Sequence, residues 1–170
     1  MEVKLEDAYR LFPAFPVALV TCGKFEQTNI ITIGMCHIFS FSPPLLGIGV
    51  APKRFSHALL KEHREFVINL PTRELADAVM LCGSTTGKNT EKFAAAKLTK
   101  IPSKVVNTGS IKECPLRFEC RIVDEFVTGD HTWFIGEIVH CEKEEYRKDE
   151  LLLYWGGEFR IPGEVVKKRA

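Results

Sequence analysis

The sequence predicts a mainly β fold, in which antiparallel strands close into a barrel and a few helices pack outside it. Turn and breaker residues divide the first third of the chain into short apolar runs, spaced too closely for the helical crossovers of a parallel sheet. Apolar and charged residues alternate over 116–122, as in an antiparallel strand with one buried face. Two long β-rich runs, 116–129 and 131–146, are joined by a tight turn.

Three strands are predicted before the first helix. The run FPVALVTCG (15–23) is apolar and β-branched and closes on a glycine. The run NIITIGMCHIFSF (29–41) is interpreted as one strand interrupted at Gly34, where we expect a bulge or a close backbone approach. The run PPLLGIGVA (43–51) begins with prolines, at a position where a missing N–H group costs least.

Three helices are predicted between these strands and the two long ones. Ser56 is a candidate N-cap for HALLKEHRE, which is followed by the strand FVINL (66–70). Thr72 is a candidate N-cap for RELADAVMLCG, with Gly83 as its end. A third helix is expected over TEKFAAAKL (90–98).

Length and charge set the broad class. A chain of 170 residues suits one domain over 1–170, and a formal net charge of +1 without a Lys/Arg run offers nothing to attract nucleic acid. The first residues lack the apolar core of a signal peptide, and no apolar run approaches the ~20 residues of a membrane span. We therefore expect a soluble, cytoplasmic protein that binds neither nucleic acid nor membrane.

The six cysteines and five histidines show no metal-ligand spacing, so no metal site is predicted. In a reducing cytosol the cysteines are expected to be free and mostly buried, with a redox-active thiol as the alternative.

Polar residues are unusually frequent in the apolar stretch TNIITIGMCHIFSFSPP (28–44). They do not alternate cleanly with the apolar ones, as they would on a strand with one wet face. These side chains are therefore expected to form hydrogen bonds with groups other than water. The polar residues in question are Asn29, Thr32, His37, Ser40 and Ser42.

Two segments could contact an anion. Lys53, Arg54, Ser56 and His57 lie at the start of the first predicted helix, where N–H groups and the helix dipole favour phosphate. The alternative is a solvated loop with an ordinary N-cap. The segment CGSTTGKNTEKF (82–93) resembles a phosphate-contacting loop without the Walker A spacing, and its alternative is a flexible loop.

His131, in TGDHTWFIGE, follows a predicted turn and could donate a proton or contact a ligand. The alternative is a surface histidine in a hairpin. No G-x-S-x-G segment supports a serine nucleophile.

Taken together, six segments resemble, in order, the FMN-binding split-barrel proteins of the flavin reductase and flavoredoxin type. The resemblance extends over nearly the whole chain and implies an antiparallel Greek-key split β-barrel with a few peripheral helices, forming a single FMN-binding domain. The segments are TNIITIGM, SPPLLGIGV, KRFSHALLKEHREFVINLPT, CGSTTGKNTEKF, GDHTWFIGEIV and LLYWGGEFR.

By this resemblance the second strand lies along the flavin ring, the KRFSH segment holds the phosphate, and the 82–93 loop closes over the ribityl chain or phosphate. His131 corresponds to the histidine of the family's GDH segment and would lie near the flavin or nicotinamide. The implied cofactor contacts are Asn29, Ile31, Thr32, Ile33, Gly34, Met35, Cys36, Lys53, Arg54, Ser56, Cys82, Ser84 and Lys92.

The implied activity is an FMN-dependent oxidoreductase that passes electrons from NADH or NADPH to a small acceptor, such as a flavin or ferric iron. Its alternative is a flavoredoxin-type electron carrier reduced by a partner protein, and a third reading is a cofactor-free β-barrel adaptor. The resemblance also implies a homodimer with flavin at the subunit interface. Where family members often have an aromatic or small hydroxyl residue, this chain has Met35, Cys36 and His37.

Overall fold

The computed structural model describes residues 2–168, and a seven-stranded antiparallel sheet is its largest element. The strands are β1 (Phe15–Pro16), β2 (Ala18–Cys22), β3 (Asn29–Ile33), β4 (Cys36–Phe41), β5 (Pro44–Val50), β6 (Glu65–Leu70), β7 (Lys100–Pro102), β8 (Gly109–Ile111), β9 (Leu116–Thr128), β10 (His131–Lys143), β11 (Leu153–Trp155) and β12 (Glu158–Arg160). The α-helices are α1 (Phe55–His63), α2 (Ala76–Ser84) and α3 (Lys92–Ala95).

The strand order in the large sheet is β3-β2-β6-β9-β10-β5-β4. Strands β3 and β4 are neighbours in sequence and yet form its opposite edges. Only Gly34 and Met35 connect them, and the Gly49 N–H donates to the Met35 carbonyl at 2.8 Å. The two edges of the sheet therefore lie close together, as in a barrel that is split between β3 and β4. Strands β9 and β10, with 13 residues each, confirm the predicted long hairpin.

Two of the predicted strands are wrong as single elements. The run 29–41 divides at Gly34, and a methyl group placed there would meet no described atom within 4 Å, so the glycine marks a change of sheet edge rather than a close approach. The run 15–23 divides at Val17, because Phe15–Pro16 pairs with β11 while the following residues join the barrel.

Two apolar cores explain the missing alternation in β2 and β3. Ala18 and Val20 point into the barrel, whereas Leu19 and Ile30 point outward and are covered by the second core, which includes residues of α2 and α3. A strand buried on both faces has no reason to alternate.

The helix boundaries differ from the predicted caps. Arg54, not Ser56, is the N-cap of α1, and Ser56 is a buried residue inside the helix. Thr72 is the N-cap residue, as predicted, but of a 3-10 turn (Arg73–Leu75) that leads into α2, and α2 continues through Gly83 to Ser84. The third helix is shorter than predicted, and the Glu91 carboxylate caps it by accepting from the Ala94 N–H at 2.7 Å.

The pairs β7-β8 and β11-β12 were not predicted, since strands of three residues are too short for a period to show. Further 3-10 turns span Leu5–Leu11, Phe25–Gln27 and Lys148–Glu150. Within 2–168, none of the helices combines the length and hydropathy needed to span a bilayer.

Candidate functional site

The polar side chains of β3 fix two helices against the barrel. Asn29 Nδ2 donates to Ser56 Oγ of α1 at 2.7 Å, and Thr32 Oγ1 donates to the Val79 carbonyl of α2 at 2.6 Å. The protein therefore supplies partners for groups that the sequence analysis assigned to a cofactor. Their contact with a cofactor stays a prediction.

The N-terminus of α1, strand β3 and the segment after α2 enclose a cavity of about 200 Å³, which we call the anion cavity. Among residues 2–168, its lining contains three cationic side chains and no carboxylate. Residues predicted from sequence that line it are Asn29, Ile31, Lys53, Arg54, Ser56, Cys82 and Lys92.

Lys92 is the buried cation of the anion cavity. Its side chain crosses the gap between β3 and α2, and Nζ donates to the carbonyls of Ile30 at 2.7 Å and Cys82 at 2.8 Å. The residue is only 5% exposed, and burial lowers the pKa of its ammonium group. An ammonium has three N–H donors and two are used here, so one donor is left for a ligand in the cavity.

The first turn of α1 adds backbone donors. Arg54 is the N-cap and the His57 N–H donates to its carbonyl, so the earlier N–H groups of Phe55 and Ser56 begin the helix without an intrahelical acceptor. Phe55 and Ser56 both line the anion cavity. The positive end of the helix dipole therefore faces the same space as Lys53, Arg54 and Lys92, which suits a phosphate or similar anion.

The loop after α2 closes the anion cavity through backbone contacts that the sequence analysis missed. Thr85, Thr86 and Gly87 line it. A methyl group at Gly87 would overlap the amide oxygen of Asn29 and lie 3.1 Å from the ring of Phe55. A larger residue at position 87 would therefore displace the Asn29 amide, and the place of Gly87 in a Gly/Ser/Thr-rich segment was the signal available in the sequence.

A second cavity of about 270 Å³, the strand cavity, continues from the first along β3. The two share Ile31, Lys53 and Arg54. The strand cavity collects most of the remaining predicted contacts, which are Thr32, Ile33, Gly34, Met35 and His131, and it adds Asp130, which was not predicted.

His131 and Asp130 form a close pair at the mouth of the strand cavity. The distance from His131 Nδ1 to Asp130 Oδ1 is 2.6 Å. The side chain of His131 is 25% exposed and that of Asp130 is 92% exposed. The hydrogen bond from His131 lowers the pKa of the Asp130 carboxyl group, and its charge adds to the effect.

Two predicted contacts lie outside both cavities. Ser84 is exposed, and its hydroxyl donates to the Met80 carbonyl at 2.8 Å. Cys36 lines a separate, largely apolar cavity of about 470 Å³ at another part of the barrel. His57 of the KRFSH segment is also directed elsewhere: its Nε2 lies 2.9 Å from Thr132 Oγ1, and burial followed by the nearby Lys61 charge lowers its pKa.

All six cysteines are free. Burial raises the pKa of the Cys82 thiol to about 11 and those of Cys22 and Cys36 to about 12, so these side chains are protonated at neutral pH and poor nucleophiles. Among residues 2–168, no group of three or more His, Cys, Asp or Glu side chains is placed to hold a metal ion.

Comparison with known families decides what this arrangement belongs to. Residues 10–163 match the flavin reductase like domain. The chain belongs to the flavin reductase-like family. A protein of Archaeoglobus fulgidus is 43% identical over 124 residues, which cover 73% of this chain and 70% of that protein. The family membership predicted from the sequence is confirmed.

Solved structures of similar fold include the flavoredoxin of Desulfovibrio vulgaris (Miyazaki F), with a TM-score of 0.87 at 24% identity over 99% of this chain and 97% of that one. An FMN-binding protein of Thermus thermophilus has a TM-score of 0.87 at 23% identity, over 99% and 97% of the two chains. An NADH:FAD oxidoreductase of Streptomyces globisporus has a TM-score of 0.82 at 22% identity, over 94% and 92%. These likenesses establish the fold and confirm the predicted mainly β split barrel.

Proposed function

We propose that this member of the flavin reductase-like family binds FMN across the anion and strand cavities and acts as an oxidoreductase that takes electrons from NADH or NADPH. The observation that supports this most directly is the donor set of the anion cavity, which has three cations, a helix N-terminus and no carboxylate. Such a set suits a terminal phosphate monoester.

The strand cavity suits the other end of the same cofactor. Met35, which is 44% exposed, offers apolar surface at the rim, where the backbone leaves the sheet, and Ile31 and Ile33 line the same cavity from the barrel core. A flavin ring needs apolar surface on one edge and directed hydrogen-bond groups on the other. Each cavity alone is smaller than the roughly 300–1,000 Å³ of typical ligand sites, and the two adjoin, since three residues line both.

Bound FMN would supply the hydride and electron chemistry, and the chain's own residues would bind and orient it. In this proposal Lys53, Arg54 and Lys92 hold the phosphate, while the loop that ends at Gly87 excludes water from it. His131, at the mouth of the strand cavity, contacts the reducing substrate.

The alternative function is a flavoredoxin-type electron carrier that a partner protein reduces. The likeness to the Desulfovibrio flavoredoxin favours it, whereas the likeness to the Streptomyces NADH:FAD oxidoreductase favours direct reduction by a nicotinamide. Both proposals share the cavities described above and differ in the electron donor.

An anaerobic absorption spectrum of the purified chain with FMN, recorded before and after NADH or NADPH, tests the proposal. A bound flavin spectrum that bleaches with either nicotinamide supports the reductase. A bound flavin that stays oxidised until a reductase protein is added supports the electron carrier. Failure to bind FMN or FAD at micromolar concentrations would contradict both, and FAD binding as tight as FMN binding would contradict the choice of cofactor.

Replacing Arg54 with alanine is expected to weaken FMN binding by about 1.5–3 kcal/mol, the scale of a lost charge-assisted hydrogen bond. Arg54 lines both cavities, so its guanidinium has access to the phosphate end of the site. Quenching of flavin fluorescence gives the affinity. Arg73→Ala removes an exposed arginine from a 3-10 turn outside both cavities and serves as the control. An Arg54→Ala protein that binds FMN like the wild type would place the phosphate elsewhere.

The proposal includes a homodimer that covers the strand cavity. Large apolar side chains are exposed beside it and along the edge strand β4, among them Met35, Phe39, Phe41 and Phe126. Sedimentation velocity is expected to find a dimer, and Phe41→Glu, a change at a side chain that is 88% exposed in the single chain, is expected to give a monomer. A wild-type monomer that retains flavin would contradict this part of the proposal.

A further inference from the structure

We propose that Asp130 is a positioning residue for His131: its carboxylate accepts the Nδ1–H of the imidazole and leaves Nε2 as the nitrogen offered to a ligand in the strand cavity. The inference deepens the proposed function and rests on it for its functional meaning. Its geometric part concerns only the described residues and can be tested without a flavin.

The geometry shows which ring nitrogen of His131 binds Asp130 and which is left for a ligand. The Nδ1 to Oδ1 distance of 2.6 Å is that of a charge-assisted hydrogen bond. An ionised carboxylate has acceptors only, so the proton between the two atoms belongs to the imidazole. Across residues 2–168, no hydrogen bond is recorded to His131 Nε2, and the ring lines the strand cavity.

Other charges near the pair favour the same arrangement. Lys53 and Arg54 line the strand cavity together with Asp130 and His131. The charge of Lys53 contributes to the lowered pKa of Asp130, although the His131 hydrogen bond contributes more. An exposed aspartate is ionised at neutral pH, and the Lys53 charge acts in the same direction, so the imidazole N–H meets an ionised carboxylate, the stronger acceptor.

The pairing with Asp130 determines which tautomer His131 adopts. A free imidazole prefers to carry its proton on Nε2, whereas the pair with Asp130 holds it on Nδ1. The neutral ring then presents an unprotonated Nε2, which accepts a hydrogen bond from an amide N–H or a hydroxyl group of a ligand. The protonated ring would present a donor at the same point. Asp130 thus selects the kind of ligand group that His131 can meet.

Long-range ¹H–¹⁵N correlation spectra of the imidazole rings in the full-length chain test the inference. They are recorded at increasing pH until the ring signals stop shifting, so that the spectra compared are those of neutral rings. A His131→Gln spectrum assigns the signal. The wild-type ring is expected to be mainly the Nδ1–H tautomer. Asp130→Ala is expected to shift the tautomer ratio about two- to fivefold towards Nε2–H, the scale of one exposed charged contact.

Two further variants keep the result interpretable. Asp130→Asn retains a turn-forming side chain with a weaker acceptor, and a smaller shift in the same direction is expected. Asp124→Ala removes a carboxylate from the neighbouring strand β9, opposite Ile135 in the register, and should leave the ratio unchanged. A mainly Nε2–H ring in the wild type, an unchanged ratio in Asp130→Ala, or an equal shift in Asp124→Ala would overturn the inference. If the tautomer result holds and no flavin binds, the proposed function fails and the positioning role stands.

Discussion

Replacing Glu119 with alanine is expected to lower the free energy of unfolding by about 3–5 kcal/mol, the scale of losing two or three hydrogen bonds to a charged acceptor. Glu119 lies in β9 and is only 2% exposed. Its two carboxylate oxygens accept from three consecutive backbone N–H groups, those of Lys104 and Val105 at 2.7 Å and of Val106 at 3.1 Å. Removal of the carboxylate leaves these donors without partners beneath the β7-β8 connection.

Urea unfolding followed by fluorescence measures the change. Glu119→Gln should also destabilise the chain, because one carboxylate oxygen becomes an NH₂ group that faces a backbone donor. Glu113→Ala is the matched control: its carboxylate accepts from the Thr99 N–H at 3.1 Å but is exposed, so a loss below about 1 kcal/mol is expected. A Glu119→Ala protein as stable as the control would show that the loop does not depend on this carboxylate.

The burial of Glu119 could not be predicted from the sequence of β9. The alternation over 116–122 correctly directs Phe118 and Cys120 towards the barrel core. It also predicts that the intervening charged residues face solvent. Only Arg121 is exposed, whereas Arg117 and Glu119 are buried beneath the segment from β7 to β9. The alternation of apolar and charged residues distinguishes the two faces of a strand, but it does not show that a loop distant in sequence covers the polar face.

The prediction of single strands across Val17 and Gly34 was wrong for a related reason. Periodicity separates strands from helices, but it does not show whether an interruption such as Gly34 is a bulge within one strand or the end of a sheet edge. The long hairpin of β9 and β10 was predictable because its patterning persists over many residues and its turn contains Gly129 with a φ of 56°.

The candidate site shows the same division. Residue type indicated Lys53 and Arg54, since cations at a helix start suit an anion, and the family resemblance added Lys92. Gly87 and Asp130 were not predicted, because what places them at the cavities is their contacts with Asn29 and His131 in the folded chain. Ser84 was chosen by its place in the loop and faces away from the cavity.

Replacing Lys92 with methionine is expected to weaken FMN binding about 100- to 1,000-fold, or about 3–4 kcal/mol, more than the loss at exposed Arg54. The ammonium lies in a buried place in the anion cavity, where a charge pair is poorly screened by water. Methionine fills a similar volume without a donor. Lys88→Met, an exposed lysine of the same segment that does not line the cavity, should change the affinity less than twofold.

The stability of the flavin-free chain should change less than the affinity. Methionine removes a buried charge, which is favourable, and leaves the carbonyls of Ile30 and Cys82 without their donor, which costs about 1–3 kcal/mol for each. These effects oppose each other. A Lys92→Met chain that unfolds far more easily than the wild type would instead assign Lys92 a mainly structural role.

The pH dependence separates a charge contact from a packing contact. Burial lowers the pKa of Lys92, so its ammonium is fully present below that lowered pKa and is lost as pH rises through it. FMN affinity is therefore expected to fall as the pH rises, and to do so below the range near pH 10.4 in which an ordinary lysine titrates. In the flavin-free chain the sign is opposite, because the unfolded state holds the proton more tightly and stability rises with pH over the same window.

Both slopes should vanish in Lys92→Met and persist in Lys88→Met. Titrations of affinity and of unfolding free energy against pH, compared between these two variants, decide whether the buried ammonium binds the phosphate, and wild-type slopes retained in Lys92→Met would refute it.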